Sequence, residues 1–137
     1  MLDNLLAPSA RFAPLLIRLI VGTIAVTHGW PKMKDLGAFI ANVDRMGIPL
    51  PAVFGTAAAI SEFLGGIALI LGLFGRWAAF FFGCVMAVAV FKIHGPNGFL
   101  AKTNGYEYPL VLLVASLSLM LTGSGPVSID RLVGRKK

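Results

Sequence analysis

Ionisable residues in the apolar part of the chain are the ones that could carry chemistry. The sequence has two glutamates, Glu62 and Glu107, and two histidines, His28 and His94, all within or at the ends of apolar runs. Glu62 lies in the middle of its run, so a membrane-spanning run would place its carboxyl group near the midplane. An ionisable group there costs several kcal/mol on insertion scales. Glu62 must therefore be paired, protonated or in contact with water.

Other polar residues lie near the ends of the same runs and extend this candidate site. We expect Glu62, His28 and His94 to be the catalytic residues, because a buried carboxyl group and two imidazoles can transfer protons near neutral pH. The residues expected to bind a ligand are Arg18, Lys32, Lys92, Asn97, Tyr106, Glu107 and Tyr108.

Each of these residues also has a structural interpretation. Glu62 could pair with Arg18 or with a histidine, and His94 could cap the end of a helix. Glu107 suits the first turn of a helix, where the helix dipole favours an acid. The tyrosines lie where an aromatic belt is expected, and the lysines would serve as interface anchors. The sequence leaves these alternatives open.

No self-contained redox centre is visible in the sequence. The single cysteine, Cys84, lies inside an apolar run and cannot form a disulfide or a CxxC pair within the chain. We therefore expect it to be inert packing. Flavin and iron–sulfur signatures are absent. The two histidines and two glutamates could bind a metal ion, but their long spacing is not diagnostic, and we predict no metal site.

The elements that must position these residues are membrane-spanning helices. Of the 137 residues, 57% are hydrophobic and 13% are charged, which is about half the charged fraction of a typical soluble domain. Four apolar runs, at about 12–30, 52–74, 77–93 and 106–122, are long enough to cross a bilayer as helices. Residues 1–137 are therefore predicted to form one domain, an all-α integral membrane four-helix bundle.

The connections between these runs carry their own signals. Apolar residues recur at helical spacing over 35–51, which predicts a short amphipathic interfacial helix between spans 1 and 2. We expect Asp35 to cap that helix and Gly47-Ile48-Pro49 to end it. Pro31 and two lysines are expected to close the first span. Gly75-Arg76 is expected to be a tight turn that makes the second and third spans antiparallel neighbours.

The net charge of +6 is interpreted as a topology signal and as contact with anionic headgroups, and nucleic-acid binding is not expected. Four crossings place both termini on one side. Positive charge slightly favours that side: Arg11, Arg76, Arg131, Arg135, Lys136 and Lys137, against Lys32, Lys34, Arg45, Lys92 and Lys102. Both termini are therefore predicted to be cytoplasmic. The first run has no basic segment before it and is interpreted as a retained span rather than a cleaved leader.

An ordered set of short motifs covers about residues 11–130: Arg18-Leu19, His28-Gly29-Trp30-Pro31-Lys32, Gly47-Ile48-Pro49, Glu62-x-x-Gly65-Gly66, Gly72-x-x-x-Arg76, His94-Gly95-Pro96-Asn97-Gly98-Phe99 and Gly105-Tyr106-Glu107-Tyr108-Pro109. In this order the set resembles the DoxX family. The resemblance implies a four-helix protein of the bacterial inner membrane. It also implies a link to oxidoreductase complexes, because the family takes its name from a thiosulfate:quinone oxidoreductase that it resembles.

Three functions are consistent with the sequence. The first is a membrane subunit of a quinone- or thiol/sulfur-linked redox system, with a polar pocket in the outer half of the bundle. There His28 and His94 would donate to the ring oxygens, Glu62 would relay protons, and a partner oxidoreductase would supply electrons. The second is a non-enzymatic scaffold held together by the same polar cluster. The third is a small-solute transporter, which would need a homo-oligomer. A quinone is the one cofactor that we consider, and the lipid bilayer is the expected surrounding.

Overall fold

The computed structural model describes residues 8–134. Within this range the chain is helical and contains no β-strand. The helices are α1 (Ala13–Lys34), α2 (Leu36–Arg45), α3 (Pro51–Leu71), α4 (Gly75–Val88), α5 (Glu107–Thr122) and α6 (Ile129–Leu132). A π-helical segment, Ala89–His94, continues α4. Arg135, Lys136 and Lys137 of the predicted basic tail lie outside the described residues.

Three of the helical segments are long and apolar enough to cross a membrane. They are Ala10–Lys34, Pro51–Leu71 and Gly75–Asn97. Helix α5 is also apolar but has only 16 residues, about 24 Å of helix against a hydrocarbon core of about 30 Å. Length and composition therefore support three crossings directly, and the fourth stays a prediction.

The long helices pack against their neighbours in antiparallel pairs. Helix α1 packs along α3, α4 packs against α3 and α5, and α1 also contacts α5. The α1–α3 contact is close because glycines of each helix face the backbone of the other helix. A Cβ atom on Gly66 would lie 2.8 Å from the Val26 nitrogen, and one on Gly29 would lie 2.5 Å from the Phe63 nitrogen. This approach holds the middle of α3 directly against the last turns of α1.

Helix α1 extends further than the sequence predicted. Pro31 was expected to close it, but the helix continues through Pro31 to Lys34. A proline inside a helix removes one N–H donor. The helix nevertheless continues beyond the proline, and the Pro31 carbonyl accepts from the Asp35 N–H at 3.2 Å. As a consequence, Lys32 remains helical and lies one turn after His28 on the same side of α1.

Helix α2 is present with the predicted cap. The Asp35 side chain accepts from the Ala38 N–H at 3.0 Å, which satisfies one of the free donors at the helix start. The helix ends before Gly47, whose φ of 67° lies in the left-handed region. Val43 of α2 is buried, and Ile40 faces Gly55 of α3. The location of α2 at a membrane surface stays a prediction.

The turn between α3 and α4 lies earlier than predicted. Gly72 and Phe74 adopt left-handed φ values of 66° and 49°, and Gly75 is already the first residue of α4. The reason is a contact from far along the chain. The Asp130 carboxylate accepts from the N–H groups of Phe74, at 2.7 Å, and Gly75, at 3.0 Å. An acid at this position caps the start of α4.

Candidate functional site

Glu62 is buried in α3 and is paired with a lysine of α1. The Lys32 Nζ atom lies 2.5 Å from each carboxylate oxygen. The Glu62 side chain is 3% exposed, whereas that of Lys32 is 26% exposed. The carboxylate is therefore kept from the outside, while the ammonium group connects it to the surface.

The contact between α1 and α3 brings these two side chains together. A Cβ atom on Gly29 would lie only 2.9 Å from the Glu62 carbonyl carbon, so the two backbones touch at this level. Lys32 lies three residues after Gly29, on the same face of α1. Lys32 was predicted to bind a ligand but not to be the partner of Glu62.

Arg18 does not reach Glu62, and the predicted alternative of an Arg18–Glu62 pair is wrong. Arg18 precedes Lys32 by almost four turns, about 21 Å along the helix axis. Its guanidinium is buried, lies against Gly72 and donates to the Val127 carbonyl. Arg18 therefore joins the start of α1 to the C-terminal segment at the opposite end of the helices.

His28 lies beside Tyr108 of α5. The two ring centroids are 6.2 Å apart, and the rings are inclined at 46°. Because His28 and Lys32 are four residues apart on α1, their side chains share a face. We call His28, Lys32, Glu62 and Tyr108 the ion-pair cluster. It combines an imidazole, an ammonium group, a carboxylate and a phenol, which are all groups that can hold or transfer a proton.

Aromatic rings lie next to this cluster, and two of them, Phe39 and Phe63, were not singled out from the sequence. The Lys32 ammonium lies 4.8 Å from the centre of the Phe39 ring of α2, a favourable cation–π contact. Trp30 and Phe63 are 5.4 Å apart between ring centroids. Phe39 lies on the apolar stripe by which α2 was predicted, and its position four residues after the Asp35 cap was the available signal.

Four other predicted site residues order the connection between α4 and α5. His94 Nδ1 lies 2.8 Å from the Asn104 carbonyl oxygen, and Asn97 donates to that same oxygen at 3.1 Å. Glu107 accepts from the Ala101 N–H at 2.9 Å. Tyr106 packs edge-on against Phe99, with 5.5 Å between ring centroids. The contacts of these residues are therefore within the connection and not with Glu62.

Lys92 has a third environment. It lines a cavity of about 300 Å³ between the α2–α3 turn and the end of α4, together with Phe54 and Val88. None of the ion-pair cluster residues lines that cavity. The structure therefore divides the predicted site into the ion-pair cluster, the ordered connection, the Lys92 cavity and Arg18 at the opposite end.

Over residues 8–134, no group of three or more His, Cys, Asp or Glu side chains is close enough to hold a metal ion. The two histidines and two glutamates considered as ligands are thus not gathered into one metal site. Cys84 is exposed on α4 rather than packed inside. The expectation that Cys84 is packed inside the bundle is therefore wrong.

Known proteins similar to this chain support a membrane location. The DoxX family model matches residues 13–95. The chain is 29% identical to "Inner membrane protein YqjF" of Escherichia coli, over 89% of this chain and 92% of that protein. It is 28% identical to "Putative oxidoreductase CatD" of Bacillus subtilis, over 94% and 92%. It is also 31% identical to an uncharacterized protein of Haemophilus influenzae, over 83% and 85%. No solved structure matched the chain.

The family match covers more than half of the chain and includes the whole α1–α3 contact. Its apolar helices and its inner-membrane relatives indicate a bacterial inner-membrane protein that crosses the bilayer several times. The motif that supplies Lys32 and the motif that supplies Glu62 both lie inside the matched region. This chain belongs to the DoxX family.

Proposed function

We propose that this protein is a quinone-linked membrane subunit of an oxidoreductase, with the ion-pair cluster facing the quinone head group. The observation that carries the proposal is the buried Glu62 carboxylate, paired with the partly exposed Lys32 of a neighbouring apolar helix. Ionisable groups at such a position are rare, and they commonly mark proton pathways or ligand sites. The relative with "oxidoreductase" in its name is consistent with this proposal.

Reduction of a quinone to a quinol takes two electrons and two protons. The electrons come from a partner oxidoreductase, because the chain has no redox centre of its own. As the ring oxygens become negative, His28 would give one proton to one oxygen, and Lys32 would give the second proton to the other. Both side chains would regain a proton from water, because His28 is exposed and Lys32 is partly exposed, and Glu62 would hold the Lys32 ammonium group in place.

The proposed arrangement in the membrane has four crossings, with α5 as the fourth and α2 lying at the surface. The antiparallel order of α1, α3, α4 and α5 is compatible with it. The ion-pair cluster then lies at the end of the bundle that carries α2 and the α4–α5 connection. Under the charge bias of the sequence, that end is periplasmic and both termini are cytoplasmic.

A direct binding test uses tryptophan fluorescence. The chain has two tryptophans, and Trp30 lies one residue after Gly29, whereas Trp77 lies at the start of α4. A Trp77→Phe variant in liposomes therefore reports from Trp30 alone, which lies next to the cluster. We expect a short-chain ubiquinone analogue to quench Trp30 saturably. Added Glu62→Gln or His28→Ala should weaken that binding about tenfold or more. His28→Ala removes the hydrogen bond to the ring oxygen, and Glu62→Gln removes the charge that holds Lys32 in place.

Lys34→Gln is the matched control, because Lys34 is exposed and lies two residues beyond the motif that ends at Lys32. It should leave quenching unchanged. Equal, saturable quenching in the Glu62→Gln, His28→Ala and unsubstituted proteins would rule out the cluster as the quinone site. Quenching that rises linearly with the quinone content of the bilayer in all of them would rule out specific binding.

The scaffold function has one observation in its favour. Lys32 reaches both oxygens of Glu62, so the pair also joins α1 to α3. The double variant Lys32→Met/Glu62→Leu separates the two functions, since it replaces the pair by apolar side chains of similar size. A scaffold should keep both its partner assembly and the quinone-dependent turnover of the assembly in this variant. A quinone subunit should fold and assemble but lose quinone-dependent turnover.

A further inference from the structure

The cavity that contains Lys92 lies apart from the ion-pair cluster. Its volume is about 300 Å³, at the lower end of the range for small-molecule sites. The cavity lies at the junction of the α2–α3 turn, the first turn of α3 and the end of α4. The lining residues are Gly47, Ile48, Pro49, Phe54, Val88 and Lys92. Lys92 is the only charged residue among them.

Lys92 brings an exposed ammonium group to this cavity. Its side chain makes no ion pair or hydrogen bond with another residue in the described range 8–134. It belongs to the π-helical segment Ala89–His94, a rare conformation that occurs often at functional sites. Val88, four residues earlier, lines the same cavity. An apolar wall and a free cation therefore meet in one place.

The surroundings of the cavity point to the lipid bilayer as the source of its ligand. Phe91 is 78% exposed and Phe54 is 50% exposed, and both lie on segments long and apolar enough to span the membrane. Such side chains face acyl chains in a bilayer. The polar α4–α5 connection follows His94 directly, so Lys92 lies near the end of its span. That is the depth at which phospholipid phosphates lie.

We propose that this cavity binds one anionic phospholipid of the bilayer. The lipid phosphate lies against the Lys92 ammonium, and the first carbons of an acyl chain lie against Phe54, Val88 and Ile48. Charge complementarity selects the anionic headgroup, and the apolar wall selects the lipid over a free anion. The inference does not rest on the quinone proposal, since the two sites share no lining residue.

Native mass spectrometry of the purified full chain tests this inference. The protein is equilibrated with phosphatidylglycerol or with phosphatidylcholine that carries the same acyl chains, and the retained lipid is measured. We expect one phosphatidylglycerol to be retained in preference to phosphatidylcholine. Lys92→Gln should lower that retention about fivefold, as expected for one basic residue at an anionic surface. Val88→Phe should lower it too, because the added ring fills the cavity.

Lys102→Gln is the control, because Lys102 is an exposed lysine of the α4–α5 connection that does not line the cavity. It should retain the lipid as the unsubstituted protein does. Unchanged retention in Lys92→Gln would overturn the proposal. Equal retention of both lipids would overturn recognition of the charge. Displacement of the lipid by millimolar inorganic phosphate would show a free anion, rather than a lipid, as the ligand.

Discussion

At the scale of residues, the Lys32–Glu62 pair explains how an apolar helix carries a carboxylate. Burial of a charge is unfavourable unless it is paired and hydrogen-bonded. Glu62 satisfies this condition because Lys32 donates to both of its oxygens. Lys32 is one-quarter exposed, so its ammonium group loses less hydration than the carboxylate. The pair is therefore asymmetric, and its buried member depends more on the partner.

This asymmetry gives a stability prediction. Lys32→Met should leave Glu62 buried and unpaired and lower the free energy of unfolding by about 3 kcal/mol, the lower end for a broken buried pair. Lys32→Met/Glu62→Leu should recover most of that loss, because no buried charge remains. Thermal unfolding in detergent measures both, with Lys34→Met as the exposed control. A double variant as unstable as Lys32→Met would contradict this account.

The sequence predicted that Glu62 needs a partner but not which one. Its distance along the chain from Arg18, His28 or Lys32 does not distinguish them. The choice depends on the register between α1 and α3, which is set by backbone contacts at Gly29 and Gly66. It also depends on α1 continuing through Pro31, where the proline suggested that the helix ends. Both are tertiary effects that residue spacing does not contain.

At the scale of elements, glycines decide how closely α1 and α3 pack. A Cβ atom on Gly66 would lie 2.8 Å from the Val26 nitrogen and 2.9 Å from the Gly22 oxygen, both backbone atoms. The neighbouring Gly65 would place its Cβ 3.9 Å from the Ala78 oxygen, an ordinary contact. Close approach through small residues is a common basis of helix association in membranes. The adjacent glycines thus have different roles.

Alanine at these two positions should therefore have opposite effects. Gly66→Ala forces α1 and α3 apart and should lower the free energy of unfolding by about 1–3 kcal/mol, as overpacking does. Gly65→Ala should be neutral or stabilising by up to about 1 kcal/mol, because alanine favours the helix over glycine. Unfolding in detergent compares them directly. Equal destabilisation by both would show that the α1–α3 contact is looser than the structure has it.

Asp130 gives a second prediction at this scale. Its carboxylate accepts from the Phe74 and Gly75 N–H groups and, at 2.8 Å, from the Ser124 hydroxyl. It thus caps α4 from the C-terminal segment. Asp130→Ala should lower the free energy of unfolding by about 1–2 kcal/mol, the usual effect of losing a helix cap. Asp44→Ala, at an exposed position of α2, is the control and should change little.

The same contact explains why the α3–α4 turn was predicted at the wrong place. Glycine positions alone favoured Gly75-Arg76. The acceptor for the Gly75 N–H lies 55 residues later in the chain, and this makes Gly75 a helical residue. The long helices were predictable because each is apolar along almost its whole length. The turns depend on partners that are distant in sequence.

At the scale of the whole molecule, the helices have two different ends. One end joins the start of α1, the α3–α4 turn and the C-terminal segment, through the Arg18 contact with Val127 and the cap from Asp130. The other end carries the ion-pair cluster, α2 and the α4–α5 connection. Helix α5 runs from the second end to the first. If the three long segments cross the membrane, α5 must cross it as well.

The crossing of the membrane by the short helix α5 is the sharpest topology prediction. Its 16 residues span less than the average hydrocarbon core, so the bilayer must thin locally or the flanking residues must reach the interface. In a Cys84→Ser background, we expect Ser9→Cys and Val133→Cys to react with a membrane-impermeant maleimide from the same side. Lys102→Cys should react from the opposite side. Labelling of intact cells and of lysed cells distinguishes the two sides of the membrane.

The comparison of Ser9 with Val133 tests the number of crossings, and the comparison of either with Lys102 tests the direction. The charge bias predicts that Lys102→Cys reacts in intact cells and that the other two react only after lysis. Reaction of Val133→Cys together with Lys102→Cys would leave α5 on one side of the membrane. The contact between Arg18 and Val127 would then be broken, because its two residues would lie on opposite sides of the bilayer.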